Sequence, residues 1–341
     1  MINKFGKPMG NILKSKETFF IENDKHLQRN NAVRDVYMRQ GRRVVCVVCS
    51  SPLLESHYIT SHGLRYFMCE VCRHVNGEFR VDGSFYEQYS EIGYTEIYKS
   101  PSLDEYRERM IAIYTPKAQF LVDALEECGV PYENYSFLDV GAGSGYFVGA
   151  LKDLGLNASG IEISQPQVSY GNIMLGAELL KAVPPDKIVD EISSTNCQVV
   201  SIIGVLTGIE DMHSFFNAIK QNSNIQFVFF NVQMFSLSCI IESVFPEVYN
   251  RQLGGTLTHL FSRSSLEWLC SHYSLNPLAE WCFGTDIMDL YRSFWVMAGQ
   301  SSKLLQADIA NYFVENADAL QLVVDKSLFG GESTLLVEVS R

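Results

Sequence analysis

The stretch Phe137-Leu138-Asp139-Val140-Gly141-Ala142-Gly143-Ser144-Gly145 constrains the fold of this chain more than any other. An apolar run ends in an acidic residue and three alternating glycines, and Tyr146-Phe147-Val148-Gly149-Ala150-Leu151 then resumes with helical spacing. Strand, tight loop and helix in that order form the first unit of an open α/β nucleotide-binding sheet. Glycine is needed because a side chain in the bend would hold a ligand away from the main chain. The spacing also excludes a ligand class. A dinucleotide fingerprint requires a small residue five positions after the first glycine, so that helix and strand can pack closely. Here that position is Tyr146. Glu162 stands at the end of the next apolar run, Ala158-Ser159-Gly160-Ile161, where a carboxylate can accept both hydroxyls of an adenosine ribose.

The remainder continues the alternation. Residues 165–176 read as a helix and Leu179–Val183 as a short strand stopped by Pro184-Pro185. Cys197–Ile203 reads as a buried strand, Asp211–Gln221 as a helix and Ile225–Asn231 as the next strand. This pattern predicts an α/β, Rossmann-like sheet, mainly parallel and covered on both faces. Leu278–Phe283 and Thr334–Val339 can supply the last two strands, with a long insertion over 232–277 and a mainly helical stretch over 286–328. Ligands in such sheets sit beyond the carboxyl ends of the strands. The site is therefore expected from the 141–145 loop, Glu162, the segment Gly204-Val205-Leu206-Thr207 and whatever follows Asn231.

Ahead of this domain, Cys46-Val47-Val48-Cys49 and Cys69-Glu70-Val71-Cys72 are separated by nineteen residues. Each C-x₂-C turns two sulfurs toward one ion, and four thiolates satisfy a tetrahedral zinc with no open position, so the expected site is structural. His57, His62 and His74 lie near but are not needed as ligands, and the other five cysteines are scattered and read as core. The segment is too short for a large core, so metal would supply most of its folding free energy. The organisation expected is a basic extension over 1–43, a zinc-binding module over 44–80, a tyrosine-rich connector over 81–115 and a ligand-binding domain over 116–341.

The net charge of −12 argues against a general nucleic-acid surface. The first 43 residues differ, with ten Lys/Arg against four Asp/Glu. They can touch a phosphorylated substrate or an acidic partner, or form a solvated extension docked on the acidic body, which is the favoured expectation. The most apolar run, 225–241, is interrupted by Gln226, Asn231 and Gln233, so no membrane span is expected. No secretory core follows the first lysines, and a cytoplasmic chain with reduced thiols is expected.

Asp139, the G-x-G-x-G loop and Glu162 together resemble the class I S-adenosylmethionine-dependent methyltransferases. The resemblance implies that Gly141, Ala142, Gly143 and Gly145 cradle the methionine end of the cofactor and that Glu162, followed by Ile163, holds the ribose. It implies that Gly204 and Leu206 lie against the cofactor, that Asp139 belongs to the same site, and that the final strand inserts antiparallel. A zinc ribbon, a connector carrying Tyr86, Tyr89, Tyr94 and Tyr98, and then the catalytic domain is similar to bacterial sugar C-methyltransferases and their glycan-cluster relatives. That order implies a nucleotide-linked sugar or surface-glycan precursor as acceptor, with the connector over the active site. Small-molecule O- or N-methylation is the nearest alternative, and an inactive cofactor-fold binding protein is the alternative of another class. Many relatives carry Leu-Glu-His where this chain has Leu206-Thr207-Gly208, so a histidine base is missing there.

Methyl transfer from a sulfonium is an in-line displacement that needs an aligned nucleophile, a deprotonating group and exclusion of water. The insertion holds polar groups around Gly254-Gly255. His259 is the first candidate for general base; its alternative is a structural histidine capping the helix from about Ser264. Arg251 is a candidate to grip a phosphate or carboxylate of the acceptor; its alternative is an ion pair with Glu242 or Glu247. His213, beside Asp211 early in a helix, reads as a surface residue.

Overall fold

The structure, a computed structural model, describes residues 1–8, 18–55, 57–82, 85, 88, 102–254 and 257–341. The connector tyrosines 86, 89, 94 and 98 lie outside the described residues. The chain opens with β1 (Ile2–Phe5), α1 (Thr18–Ile21) and α2 (Asn23–Tyr37), then forms β2 (Tyr58–Ser61), β3 (Leu64–Met68) and β4 (Val75–Gly77). Helix α3 (Leu103–Arg109) runs through a π-helical turn, Met110–Tyr114, into α4 (Thr115–Glu127). The alternating region follows as β5 (Ser136–Val140), α5 (Tyr146–Asp153), β6 (Asn157–Glu162), α6 (Gln165–Leu175), β7 (Leu180–Ala182), α7 (Ile188–Ser194), β8 (Val199–Ile203), α8 (Met212–Gln221) and β9 (Phe227–Gln233). The last third holds α9 (Leu237–Val244), β10 (His259–Leu260), α10 (Arg263–Tyr273), β11 (Leu275–Phe283), α11 (Asp286–Gly299), α12 (Lys303–Lys326) and β12 (Glu332–Val339).

The main sheet has the order β1-β11-β12-β9-β8-β5-β6-β7. Strands β5, β6, β7, β8 and β9 are parallel, while β12 is antiparallel to both β9 and β11. Strand β11 therefore runs with the parallel set, and β1 is parallel to β11. One consequence organises the rest of the molecule. The C-terminal ends of seven strands and the N-terminal end of β12 lie along a single edge, where ligands of such sheets bind.

Successive side chains on a strand point to opposite faces, and both faces here are apolar. Val228 and Phe230 join Val200, Ile202 and Phe216 on one side; Phe227 and Phe229 join Phe137, Phe147 and Trp281 on the other. That double burial is why Ile225–Asn231 reads as a continuous apolar run. The strand itself starts two residues later, at Phe227, where Gln226 N and Phe227 N both donate to Gln198 O just ahead of β8.

A second sheet, β10-β4-β3-β2, carries the cysteine segment. Its fourth strand comes from the 232–277 insertion, since His259–Leu260 pairs antiparallel with Asn76 and Val75. Val75, Leu260, Leu64 and Tyr66 share one cluster with Val33 and Tyr37 of α2. Arg43 joins this module to the larger sheet through two bonds to Glu210, at 2.8 and 2.6 Å.

The described residues among the first 43 are built into the fold rather than forming a solvated extension. Strand β1 completes the main sheet, and Gly6 N continues the pairing onto Cys282 O at 3.0 Å. Helix α2 buries Val33, Val36 and Tyr37. Asn23 holds Tyr249 N and Glu247 O through its side-chain amide. The strand escaped prediction because four residues with two polar members, Asn3 and Lys4, carry almost no periodic signal. Among the described residues, no helix is long and apolar enough to cross a membrane.

Candidate active site

The loop after β5 is built for close approach. Gly141, Gly143 and Gly145 all have left-handed φ, at 73°, 55° and 79°. At Gly141 a Cβ would collide with the side chain of Val205. Gly141 N and Ala142 N both donate to Ile161 O, at 2.8 and 3.0 Å. Glu162, which is 8% exposed, spans the loop and the next turn: one carboxylate oxygen accepts from Gly143 N and the other from Ser164 N, each at 2.9 Å. Each oxygen keeps a lone pair for a further donor. The free acceptor positions therefore fit the two hydroxyls of a ribose diol. Ile163 beside it is exposed.

Tyr146, the bulky residue that breaks the dinucleotide spacing, is buried. Its ring stacks on Tyr106 at 4.3 Å and on Tyr114 at 5.2 Å. Tyr106 also donates to Ser144 O at 2.9 Å. Helix α3 and the π turn that follows it thus brace the loop from outside, and π turns recur at functional sites.

Asp139 is buried and accepts from Ser201 Oγ at 2.7 Å. Burial raises its carboxyl to about 7, the Ser201 bond opposing this and the Glu162 charge adding to it. A raised acid costs folding stability as pH climbs from its ordinary value near 3.8 through 7, because the folded state must give up a proton that it holds more tightly. Asp139→Asn is expected to remove that slope and to gain on the order of 3 kcal/mol relative to the native chain at pH 8. Urea unfolding at pH 5 and pH 8 reads the difference; equal slopes for both proteins would show that the carboxyl ionises freely.

Gly204 follows β8 with a left-handed φ of 71°, and its amide donates to Asn231 O. Leu206 is fully buried in the core beneath, so only its main chain can face a ligand. Beyond Gly204 lies a polar group that none of the sequence patterns pointed to. Lys117, on α4 and only 5% exposed, donates to Asn231 Oδ1 at 3.3 Å and pairs with Glu332 at 3.6 Å. Asn231 Nδ2 donates to Thr334 Oγ1 at 2.8 Å, and Thr207 Oγ1 to Gln233 Oε1 at 3.2 Å. These residues come from four separated elements and become neighbours only at the shared sheet edge. The single signal was Asn231, a polar residue ending an apolar run.

Two expected acceptor-site residues lie elsewhere. His259 is fully buried, with Nδ1 bonded to His74 at 2.9 Å and Nε2 to Ile209 O at 3.3 Å. Burial and the nearby Arg43 charge depress it to about 3. Its ring is a packing element between the cysteine module and the larger sheet, without the access or basicity of a general base. Nor does it cap the following helix, whose N-cap is Ser262.

Arg251 Nη1 donates to Thr285 Oγ1 at 2.6 Å and pairs with buried Asp289 at 3.1 Å. Glu242 accepts from the backbone amides of Arg251, Gln252 and Leu253. The guanidinium is committed to a buried network rather than free to grip an acceptor. Arg251→Ala is expected to cost about 3 kcal/mol in urea unfolding, the penalty of half-stripping a buried carboxylate. Unchanged stability with a raised acceptor KM would return the residue to the substrate. His213 bridges Ser50 at 2.9 Å and Tyr273 at 2.6 Å, tying the cysteine module to α10.

The four cysteine sulfurs of residues 46, 49, 69 and 72 lie within 4.8 Å of one another. Cys46–Cys72 and Cys49–Cys69 are each 3.5 Å apart, close to the edge of about 3.8 Å that a tetrahedron with 2.3 Å metal–sulfur bonds requires. Both knuckles have the same build. Ser50 N returns to Cys46 O and Arg73 N to Cys69 O, each at 2.9 Å, with Ser50 and Arg73 left-handed at φ 58° and 61°. Burial, with the Cys46 charge adding to it, pushes Cys69 up to about 11, so four thiolates together require a cation. The group fits zinc.

A family model described as a methyltransferase domain matches residues 106–280, just over half of the chain. A comparison with curated proteins found no match. Similar solved structures include magnesium protoporphyrin IX methyltransferase from Synechocystis with bound S-adenosylhomocysteine, at 10% identity and TM-score 0.46, covering 75% of this chain and 97% of that one. Geranyl diphosphate C-methyltransferase from Streptomyces coelicolor is similar at 14% identity and TM-score 0.39, covering 71% and 87%. A SAM-dependent methyltransferase from Archaeoglobus fulgidus is similar at 12% identity and TM-score 0.37, covering 65% and 94%.

Proposed function

Because this chain belongs to the methyltransferase-domain family and is an S-adenosylmethionine-dependent methyltransferase, we propose that its acceptor is a nucleotide-linked sugar or a surface-glycan precursor, and that Cys46, Cys49, Cys69 and Cys72 hold a structural zinc. The observation that carries the acceptor proposal is the polar, charged edge formed by Lys117, Asn231, Glu332 and Gln233 next to Gly204. These groups already bond one another, and a sugar's hydroxyls can join that network, whereas an apolar acceptor would cover it without adding a bond.

When bound, the cofactor supplies an electrophilic methyl on a sulfonium. In the proposed site Glu162 accepts the ribose hydroxyls, and the main chain of Gly141, Ala142, Gly143 and Gly145 lies along the amino-acid end. Asp139 lies beneath that loop, where a donor or cation from the ligand would favour its ionised form. Gly204 leaves room beside the reacting centre, since an added Cβ there would meet nothing nearer than Gln233 Nε2 at 4.0 Å. Asn231, Gln233 and Lys117 orient the acceptor and exclude water from the line of displacement. The proposed organisation keeps the zinc module at 44–80 and the catalytic domain from 116, with β1 of the basic segment assigned to the catalytic sheet.

The test is turnover with S-adenosylmethionine and a panel of nucleoside diphosphate sugars. Formation of S-adenosylhomocysteine together with a sugar heavier by one methylene is the expected result, with nuclear magnetic resonance assigning the methylated atom. Turnover of simple phenols or amines, with no sugar accepted, would move the chain to small-molecule O- or N-methylation.

A further inference from the structure

We infer that Lys7 and Lys117 form an anion-binding site at the sheet edge that takes the phosphate groups of the acceptor. The assignment rests on the methyl-transfer reading for what is bound, and on geometry for where it is bound. Lys7 follows β1, whose C-terminal end lies on the ligand-bearing edge because β1 runs parallel to β11. Its ammonium sits 5.5 Å from the centroid of the Phe283 ring, which ends β11. Lys117 Nζ lies 5.5 Å from the same centroid, on a different element. Two cations from separate elements therefore share one aromatic ring at one edge.

The local charges do not cancel. Glu332 is the carboxylate that faces both lysines, and it is already within 3.6 Å of Lys117. Among the described residues, no carboxylate comes within ion-pair distance of Lys7. Burial and the Lys117 charge push Lys7 down to about 8, with Glu332 only partly opposing them. Two like charges held together in a half-buried place cost stability, as expected of groups kept for a ligand. Lys117 has three donors and spends them on two weak contacts, so a phosphate oxygen can be accommodated without breaking either.

The spacing suits an elongated acceptor. Strand β11 lies three places from β8 in the sheet, roughly 14 Å at about 4.8 Å per strand. The Lys7 end of the site therefore lies well away from Gly204, and Lys117, bonded to Asn231, reaches back from it toward the methyl position. A chain whose residues beyond 43 carry a large negative excess needs such a local positive point to receive an anionic acceptor.

The main chain beside Lys7 is held independently of the Lys7 side chain. Its position is set by main-chain bonds, with Gly6 N donating to Cys282 O at 3.0 Å and Trp281 Nε1 donating to Gly6 O at 2.8 Å. The experiment is calorimetry of the full zinc-loaded chain with three probes: S-adenosylhomocysteine, inorganic pyrophosphate and citrate. The native protein is expected to bind pyrophosphate. Lys7→Met is expected to weaken it by roughly tenfold or more, Lys7→Arg to restore most of it, and S-adenosylhomocysteine to bind all three proteins equally. Binding of S-adenosylhomocysteine without pyrophosphate, or pyrophosphate binding indifferent to Lys7→Met, overturns the anion site and leaves the methyltransferase reading intact. Lys7-dependent binding of citrate alone overturns the phosphate assignment. Lys7-dependent pyrophosphate binding without any affinity for S-adenosylhomocysteine supports the anion site and counts against the cofactor site.

Discussion

Cys72→Ser is expected to unfold the module that spans residues 44–80, and exhaustive chelation of the native chain to do the same. The segment is below the size at which a chain buries enough surface to fold unaided. Its own apolar core is a handful of residues, shared with α2 and β10. Four sulfurs within 4.8 Å of one another are stable as thiolates only around a cation, and a structural zinc contributes on the order of 10–16 kcal/mol. That is comparable to the whole stability of a typical domain, about 5–15 kcal/mol. The damage is expected to spread, because Arg43 reaches Glu210 and His74 reaches His259 across the junction. A melting temperature lower by roughly 10 °C or more is the expected readout, with about one zinc per native chain by elemental analysis. Cys128→Ser, at an exposed thiol, serves as the control and should change neither. A metal-free native protein that melts at its usual temperature would remove zinc from the account.

Glu162→Ala is expected to weaken S-adenosylhomocysteine binding by about 3 kcal/mol, more than the loss of a ribose contact alone. The same carboxylate holds Gly143 N and Ser164 N, so its removal frees the loop as well as the sugar. Gly143→Val is expected to abolish binding altogether. A β-branched residue at a φ of 55° is strained, and its side chain would enter the concave face and meet Gln167 Oε1. Gly155→Ala separates the two causes, since Gly155 is also left-handed, at 80°, but has nothing within 4 Å of an added Cβ. It should lose a little stability and no affinity. Normal binding by Gly143→Val would place the cofactor elsewhere.

The parts of the site legible in the sequence are those made by one continuous segment. The bend at 141–145 announces itself because strand, glycines and helix are adjacent in the chain, and Glu162 follows at the end of the next strand. The two C-x₂-C pairs are legible for the same reason: each knuckle is a local turn. Tyr146 could be read as the residue that excludes a dinucleotide, although its stacking between Tyr106 and Tyr114 could not. His259 misled because a histidine near a Gly-Gly pair in an insertion carries no sign of what covers it. The pairing of β10 with β4 and the loop at Ile209 bury it, and those partners lie far back in the sequence. Arg251 misled in the same way, since its partner Asp289 sits on α11, two strands and a helix later.

Local order along the chain was enough to determine the sheet type, the glycine bend, the carboxylate at the end of the next strand and the paired cysteine turns, because each depends on residues whose spacing is itself the signal. Tertiary structure alone decided that Ile2–Phe5 closes the far side of the sheet and that Lys7, Lys117, Asn231 and Glu332 meet at one edge. The physical reason is that hydrophobic periodicity reports which face of an element is buried. It says nothing of which distant element arrives to cover that face, and an acceptor site is assembled from such arrivals.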